Sequence, residues 1–168
     1  MQYPRIETER LYLRELTLDD APEVQVHFSD PTVTAMMDIE PCDDLEAARG
    51  IIAYHLNDTG ARWGVFNRET DRLIGTCGFH CWDEASAQAE IGFDLSRTYW
   101  GQGLMREAVD AALAFGVAAM SLSEIRAFAD RGNSRSIRLL ERLGFRFRPD
   151  ISDPEDPLGM AFSLSRAS

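Results

Sequence analysis

The sequence of 168 residues lacks features that would each indicate a function class. It has no apolar run long enough to span a bilayer, and its first residues carry no apolar signal segment. Three cysteines, an odd number without the spacing of a zinc site, predict reduced thiols in a cytoplasmic protein. Cys77 and Cys81 are therefore predicted to be core or half-buried thiols and not metal ligands.

Basic residues are also scarce. Seventeen of them stand against 28 acidic residues, which gives a formal net charge of −11 at pH 7. Nucleic-acid binders neutralise phosphates with clustered Lys and Arg, so this balance argues against a general one. An acidic surface favours a cationic amine substrate, and it serves solubility equally well. The length and a hydrophobic content of 45% suffice for one globular domain, which we expect to span residues 1–168.

The most informative stretch is residues 89–116, where the hydrophobic period changes. From Glu90 to Leu95 apolar and polar residues alternate, which is typical of a strand. From Leu104 onward the apolar residues recur at helical spacing. Between the two lies Tyr-Trp-Gly-Gln-Gly-Leu, in which Gly101 and Gly103 let the backbone turn tightly and approach a ligand closely.

A strand that turns through glycines into a helix is a typical anion site. The first backbone N–H groups of a helix have no partner within it, and the helix dipole adds partial positive charge there. Phosphate or pyrophosphate fits such a place, although a turn that merely needs two glycines explains the pair equally well. A Rossmann fingerprint requires a third glycine or alanine where Arg106 stands, and a Walker loop requires Gly-Lys-Ser/Thr, which is absent.

The rest of the pattern predicts strands and helices that combine into an α/β domain. We predict a first strand around Leu11 and Leu13, a helix capped by Thr17 or Asp19, and a helix from Asp43. An antiparallel meander should follow, with strands at 61–67, 73–82 and 88–95. Beyond the helix at 104–120 the sequence predicts a parallel strand at 124–129, a helix capped by Asn133, an acidic loop at 149–157, and strands around 146–148 and 159–164.

Two tracts carry a resemblance to a known family. Trp100-Gly-Gln-Gly-Leu-Met-Arg-Glu-Ala resembles motif A of the GNAT family of N-acetyltransferases, in the form of the RimJ/RimL-like branch that acetylates ribosomal-protein N-termini. The general motif is Gln/Arg-x-x-Gly-x-Gly/Ala; with Gly103 as its first glycine, Trp100 and Met105 depart from it. The tract that begins at Asn133, Asn-x-x-Ser-x-x-Leu-Leu-Glu-x-Leu-Gly-Phe, resembles motif B. The opening Arg-Leu-x-Leu-Arg resembles the same branch, so the resemblance covers nearly the whole chain.

The resemblance implies one α/β (α+β) domain with a mixed, mostly antiparallel sheet of six to seven strands and helices on both faces. The central parallel pair, Glu90–Leu95 and Glu124–Ala129, would splay apart, and the thioester end of acetyl-CoA would enter the gap. Residues 31–42, with Met36 and Met37 at their centre, would form part of the acceptor site. A packed short helix with gap-filling methionines is the alternative for this segment.

The resemblance also implies how acetyl-CoA, the co-substrate, is bound, with no metal required. The pantetheine would pair with the backbone at 93–95, the pyrophosphate would sit on the amides of 100–105, and Asn133 would hydrogen-bond the pantetheine arm. The implied binding residues are Phe93, Asp94, Leu95, Trp100, Gly101, Gln102, Gly103, Leu104, Met105 and Asn133. For Asn133, helix capping alone is an adequate explanation.

Acyl transfer from sulfur to nitrogen needs a base for the ammonium proton and a donor for the oxyanion. Glu90 is the candidate base because it precedes the expected break of the cofactor strand, although an exposed strand carboxylate needs no such role. His80 and Asp94 are the other candidates for the base. A backbone N–H near Phe93 or Asp94 is the candidate oxyanion donor.

The sequence lacks the residue that many family members use to protonate the leaving thiolate. Many family members carry a Tyr seven residues after the motif B Asn, and here that position is Leu140. Ser136 is the remaining side-chain candidate, with water as the alternative.

The predicted function is an acetyl-CoA-dependent N-acetyltransferase that acts on a primary amine. We favour a protein or peptide N-terminus, because an α-amine with a pKa of about 8 is more readily neutral than a lysine amine at about 10.4. Two alternatives remain: acetylation of a small amine such as an amino acid, polyamine or antibiotic, and a non-catalytic acetyl-CoA-binding regulatory module. No nucleic-acid or membrane partner is expected, and a homodimer is common among relatives.

Overall fold

The computed structural model describes residues 3–37, 39–152, 156 and 159–165. Within these residues one sheet has the strand order β1-β2-β3-β4-β5-β6-β8-β7. The strands are β1 (Ile6–Glu7), β2 (Leu11–Arg14), β3 (Arg62–Asn67), β4 (Leu73–Asp83), β5 (Gln88–Leu95), β6 (Glu124–Asp130), β7 (Arg146–Phe147) and β8 (Gly159–Ser165). The α-helices are α1 (Ala21–Ser29), α2 (Pro31–Thr34), α3 (Leu45–Asn57), α4 (Leu104–Ala119) and α5 (Ser134–Arg142). Two short 3₁₀ helices lie at Leu18–Asp20 and Arg97–Tyr99.

The predicted fold class is confirmed, but the described part of the sheet has eight strands and not six to seven. The sequence predicted one strand near the start of the chain, and the structure has two there, β1 and β2. The N–H of Thr8 donates to the carbonyl of Leu11 at 2.9 Å, which closes a turn. β1 then runs antiparallel to β2, with Ile6 opposite Leu13. Residues 7–10 are all polar, and Ile6 is out of phase with Leu11 and Leu13; the prediction, centred on Leu11 and Leu13, did not separate the two strands.

Strand alternation sorts the side chains onto two cores, one on each face of the sheet. Leu11 and Leu13 of β2 belong to the larger core, which includes Ala108 and Ala112 of α4. Tyr12, between them in sequence, belongs to a second core with residues of α1 and α3. Helices therefore cover both faces, as predicted, with α4 on one side and α1 and α3 on the other.

The predicted helix boundaries follow from local capping. Thr17 and Asp20 form a capping box at the 3₁₀ turn that leads into α1. Asp44 caps α3 by accepting from the N–H of Ala47 at 2.8 Å. In the segment 31–42 the short helix α2 confirms the packed-helix interpretation in part, since Met37 packs on the second core while Met36 is exposed.

The central parallel pair is splayed, as predicted. β5 and β6 pair only from Gln88 opposite Glu124 to Glu90 opposite Arg126. Beyond that point β5 stays paired with β4 as far as Leu95, and β6 stays paired with β8 as far as Asp130. A gap therefore opens in the middle of the sheet directly after Glu90.

The C-terminal strands appear where the sequence predicted them, as β7 and β8. Of the predicted loop at 149–157, residues 153–155 and 157 lie outside the described residues. None of the helices among the described residues has the length and apolar character needed to cross a membrane.

Candidate active site

The junction between β5 and α4 has the geometry of an anion site. Gly101 and Gly103 both have φ of +76°, a conformation that residues with a side chain rarely adopt. α4 begins at Leu104 with Gly103 as its N-cap, and no side chain of a described residue caps this end of the helix. The first amides of α4 consequently have no intrahelical acceptor and are available to a bound anion.

Two arginines add positive charge to this junction in a protein whose net charge is strongly negative. Nη1 of Arg10 donates to the carbonyl of Gln102 at 2.9 Å. Its Nη2 lies 3.6 Å from the place that a Cβ on Gly103 would take. The guanidinium of Arg135, in the first turn of α5, stacks 3.2 Å from the centroid of the Trp100 ring. An anion at the start of α4 would therefore lie close to fixed cations.

The acidic residue in the first turn of α4 does not oppose an anion there. Glu107 accepts hydrogen bonds from Thr8 at 2.6 Å and from the backbone N–H of Arg10 at 2.8 Å, and it pairs with the guanidinium of Arg10 at 2.8 Å. Burial alone would raise the pKa of Glu107, but these bonds and the charge of Arg10 lower it below its usual value. Glu107 thus anchors the junction to the turn between β1 and β2.

Glu90 and His80 form a pair at the edge of the gap. They are opposite each other in the β4–β5 register, and Nε2 of His80 lies 3.2 Å from Oε2 of Glu90. Each side chain is 30% exposed, so both are reachable from solvent. Glu90, the first candidate base, and His80, one of the alternatives, are thus in contact. The pair lies where β5 and β6 separate.

Asp94, the other alternative, is surrounded by donors. Its side chain is 3% exposed and accepts from His27 Nε2 at 2.6 Å, from Thr76 N at 2.9 Å and from Thr76 Oγ1 at 2.5 Å. Arg62 Nη2 lies at 3.3 Å. Burial by itself raises the pKa of Asp94, but the bonds and charges of these partners lower it overall. A carboxylate held in this way is a weak base, and it fixes the end of β5 to α1 and β4.

The side chain of Arg62 passes over Gly78 of β4 and Gly92 of β5, on the same face of the sheet as Glu90. Arg62 is opposite Gly78 in the β3–β4 register. A Cβ on Gly92 would lie 2.9 Å from Arg62 Nη1 and 3.3 Å from His80 Cε1. The absence of side chains at Gly78 and Gly92 therefore lets the guanidinium reach β5 beside the His80–Glu90 pair.

Two buried polar atoms next to this pair have no hydrogen-bond partner among the described residues. They are Nε of Arg62 and Nδ1 of His55 on α3. Burial is the main cause that lowers the pKa of His55 to about 3, and the charge of Arg62 adds to it. The ring of His55 is therefore neutral, and both atoms are buried polar groups that the described residues leave unsatisfied.

A model of the family described as "Acetyltransferase (GNAT) domain" matches residues 10–146. The chain belongs to the GNAT family. Over 157 residues it is 39% identical to a protein of Bacillus licheniformis named uncharacterized N-acetyltransferase p20, which spans 90% of this chain and 88% of that protein.

Solved structures share the fold. A GNAT-family acetyltransferase from Bacillus anthracis superposes with a TM-score of 0.82 at 23% identity, covering 96% of this chain and 98% of that chain. A ribosomal-protein-S5-alanine acetyltransferase from Vibrio fischeri superposes with a TM-score of 0.75 at 19% identity, covering 97% of each chain. At these identities the likeness establishes the GNAT fold and leaves the acceptor open.

Both departures from the GNAT motif A pattern have structural roles here. The indole Nε1 of Trp100 donates to the carbonyl of Leu95 at 2.8 Å, which ties the end of β5 to the glycine turn. The backbone N–H of Trp100 already donates to the carbonyl of Arg97 at 3.1 Å. Met105 is 7% exposed and packs in the larger core. The amides left for a pyrophosphate are therefore those that follow Trp100.

The GNAT motif B residues lie at the start of α5. Asn133 Oδ1 accepts from the N–H of Ser136 at 3.2 Å, so the capping role of Asn133 is observed. Contacts of Asn133 and Ser136 with the co-substrate stay predictions. Leu140 is 1% exposed in the larger core, which explains an apolar residue where many GNAT members carry Tyr.

Sequence reasoning missed four residues near this site: Arg62, His27, His55 and Arg135. Arg62, His27 and His55 come from β3, α1 and α3, which are far apart in the chain. Only the pairing of the strands and the packing of the helices bring these three residues to β5, and no spacing of nearby residues in the sequence predicts their approach. Arg135 follows the motif B Asn by two residues, so its place near the junction was the easiest of the four to find.

Proposed function

We propose that this GNAT acetyltransferase transfers an acetyl group from acetyl-CoA to the α-amine of a protein or peptide N-terminus. The observation that carries the proposal is the His80–Glu90 pair at the start of the gap. On the same strand, the chain runs on to an uncapped helix N-terminus that suits a pyrophosphate. Acid–base chemistry and co-substrate binding are thereby joined by a single strand.

The residues present fit acetyl-CoA. The amides from Gly101 to Met105 would hold the pyrophosphate, with Arg135 close to the same turn. Backbone groups of Phe93 to Leu95 border the gap, where β5 no longer pairs with β6, and they would bind the pantetheine as an added strand does. Acetyl-CoA supplies a thioester carbonyl that an amine attacks. An N–H of β5 at Phe93 or Asp94 would then stabilise the oxyanion.

Glu90 would take the proton of the incoming ammonium, with His80 as its partner in the pair. An α-amine loses this proton near pH 8, whereas a lysine amine needs about pH 10.4. Each side chain of the pair is 30% exposed, and the easier deprotonation of an α-amine suits a partly exposed carboxylate as the base. Ser136 or water would protonate the leaving thiolate.

Arg62 supports an acceptor that carries a carbonyl next to the amine. Its guanidinium lies beside His80 on the face of Glu90, and its Nε has no hydrogen-bond partner in the part of the chain that the structure describes. The first carbonyl carbon of a peptide is two bonds from the α-amine nitrogen, and its oxygen would accept from this edge. A simple alkylamine offers no such acceptor, so Arg62 would favour peptides and amino acids over polyamines.

We also place the protein in the cytoplasm and treat residues 1–168 as one domain. Cys42 and Cys77 are buried, and burial raises the pKa of the Cys77 thiol to about 12; inert, reduced thiols of this kind are typical of that compartment. A homodimer is the assembly that we would test first, by light scattering of the purified protein.

The deciding experiment offers acetyl-CoA and a peptide with a free N-terminus and one internal lysine, and then locates the label by mass spectrometry. All 17 basic residues of this chain are arginines, so every acetyl-lysine found must belong to the peptide. The same peptide with a blocked N-terminus is the control, together with free amino acids and polyamines.

Label on the free N-terminus that disappears with the blocked peptide would support the proposal. Label on the lysine alone would contradict it, as would turnover restricted to a polyamine. Binding of acetyl-CoA without turnover of any amine would favour a regulatory module instead.

A further inference from the structure

Three side chains that can ligate a metal meet at the outer end of the β4–β5 ladder. They are His80, Cys81 and Glu90, and their ligand atoms all lie within 4.8 Å of one another. His80 Nε2 and Glu90 Oε2 are already 3.2 Å apart. An imidazole, a thiolate and a carboxylate belong to the ligand set that proteins use for Zn²⁺.

The backbone is distorted at the residue that completes this cluster. In a regular strand Cys81 would point to the face opposite His80. The β4–β5 register shifts between His80 and Asp83, and Cys81 has φ of +50°. A positive φ is uncommon for a residue with a side chain and costs free energy. The shift re-aims a side chain, as β-bulges do, and it brings the Cys81 thiol near its two neighbours.

The cluster is accessible to an ion from solvent. Cys81 is exposed, and the side chains of His80 and Glu90 are each 30% exposed. Three protein ligands leave a fourth tetrahedral position for water. The net charge of −11 also favours the approach of a cation.

We propose that His80, Cys81 and Glu90 form a Zn²⁺ site and that the bound ion inhibits acetyl transfer. On binding, the Cys81 thiol releases its proton to solvent and its sulfur bonds the metal, while His80 and Glu90 replace their mutual contact with bonds to the ion. The carboxylate of Glu90 then no longer accepts the proton of the amine. The inhibitory half rests on the proposed function, whereas the metal site does not.

The two other cysteines do not compete for the ion. Cys42 is 1% and Cys77 is 0% exposed, and burial raises the pKa of both thiols. A metal–thiolate signal from the intact protein therefore reports Cys81. This gives the site a spectroscopic readout that does not depend on activity.

The test uses the full chain with Co²⁺ as a visible stand-in for Zn²⁺ and with Zn²⁺ itself in calorimetry. We expect a thiolate-to-cobalt charge-transfer band in the wild type that is absent from Cys81→Ser. Loss of an outer-shell partner alone weakens metal binding 10- to 100-fold, so loss of the thiolate should weaken Zn²⁺ binding by at least about tenfold. Cys81→Gly, which suits a positive φ, should lose the band while remaining folded.

Glu84→Gln is the matched control, since Glu84 is an exposed carboxylate of the adjacent turn, outside the cluster. It should bind both metals as the wild type does. A missing charge-transfer band in the wild type, or equal Zn²⁺ affinity in Cys81→Ser, would overturn the site.

Inhibition is measured separately, by thiol release with and without Zn²⁺. We expect Zn²⁺ to slow the wild type, a chelator to restore it, and Cys81→Ser to keep its basal rate and resist Zn²⁺. Zn²⁺ that binds without slowing turnover would overturn the inhibitory half. If no amine is acetylated at all, the proposed function fails, while the cobalt and calorimetric results still decide whether the metal site exists.

Discussion

Glu90 combines three properties that a base for amine acetylation needs. It lies at the last paired position before β5 and β6 separate, it is partly open to solvent, and it has an imidazole partner. Asp94 lies on the same face of the same strand and is enclosed by four hydrogen bonds. Two carboxylates four residues apart thus have different surroundings, and of the two only Glu90 is open to solvent.

Glu90→Gln should lower kcat by on the order of 10²-fold or more, because the amide keeps the shape of the side chain and removes the base. The affinity for acetyl-CoA should be nearly unchanged, since the pyrophosphate site is at the other end of β5. Steady-state kinetics and calorimetry measure the two quantities, with Glu84→Gln as the control. Wild-type turnover in Glu90→Gln would transfer the role to His80 or to ordered water.

At the scale of elements, the β5–α4 junction is the part most completely determined by local sequence. The two glycines supply positive φ angles, and Trp100 closes the turn onto Leu95. Arg10 links the turn to β2 through its bond to the Gln102 carbonyl. The junction is therefore held rigid before any anion arrives, which lowers the entropic cost of binding.

Acetyl-CoA should raise the melting temperature of the wild type, because it binds the folded state alone. Gly103→Asp should abolish this shift, since it places a negative side chain where the pyrophosphate would lie. Gly103→Ala separates backbone strain from charge: it should melt lower than the wild type and still respond to acetyl-CoA. A normal shift in Gly103→Asp, measured by calorimetry at saturating ligand, would contradict an anion site at this turn.

For the whole molecule, the histidines all lie on one side of the sheet. His27 comes from α1, His55 from α3 and His80 from β4, and each interacts with an acidic residue of β5. This layer is polar, whereas the opposite face of the same strands packs on α4 as an apolar core. A buried histidine in such a layer makes folding sensitive to mild acid.

The free energy of unfolding should fall as the pH drops from about 6.5 towards 3. Burial, and after it the charges of Arg62 and His80, lower the pKa of His55 from 6.5 to about 3, although the charge of Asp94 acts to raise it. Between these pH values the His55 imidazole binds a proton in the unfolded chain but not in the folded protein. The free energy of unfolding therefore falls by up to about 1.4 kcal/mol per pH unit. The carboxyl of Asp94, whose pKa is lowered from 3.8, adds a loss only below that value.

Urea unfolding at pH 7 and pH 5 tests this, with His55→Gln as the variant. The variant should lose less stability than the wild type between the two pH values, because it carries no titrating ring. Equal losses in both proteins would show that His55 does not set the acid sensitivity.

Features that depend on neighbouring residues could be predicted from the sequence. The change of period across residues 89–116, the glycines of the turn and the cap at Asn133 were read correctly, because a few adjacent residues control each of them. Thr17 and Asp19 were the two candidate caps of the first helix; Thr17 caps the 3₁₀ turn, whereas the N-cap of α1 itself is Asp20. Alternation also placed Glu90 on the face opposite Ile91. Cys77 was correctly predicted as a core thiol, whereas the prediction for Cys81 was wrong, because the bulge turns Cys81 outward to solvent.

The contacts between residues distant in the chain could not be predicted and follow from strand pairing and helix packing. The β4–β5 register places His80 against Glu90, and Arg62 reaches β5 because Gly78 and Gly92 leave its path open. Likewise, α1 brings His27 to Asp94. Strand register and helix packing are fixed by the summed burial of many apolar side chains far apart in the chain. The spacing of nearby residues therefore does not predict these contacts.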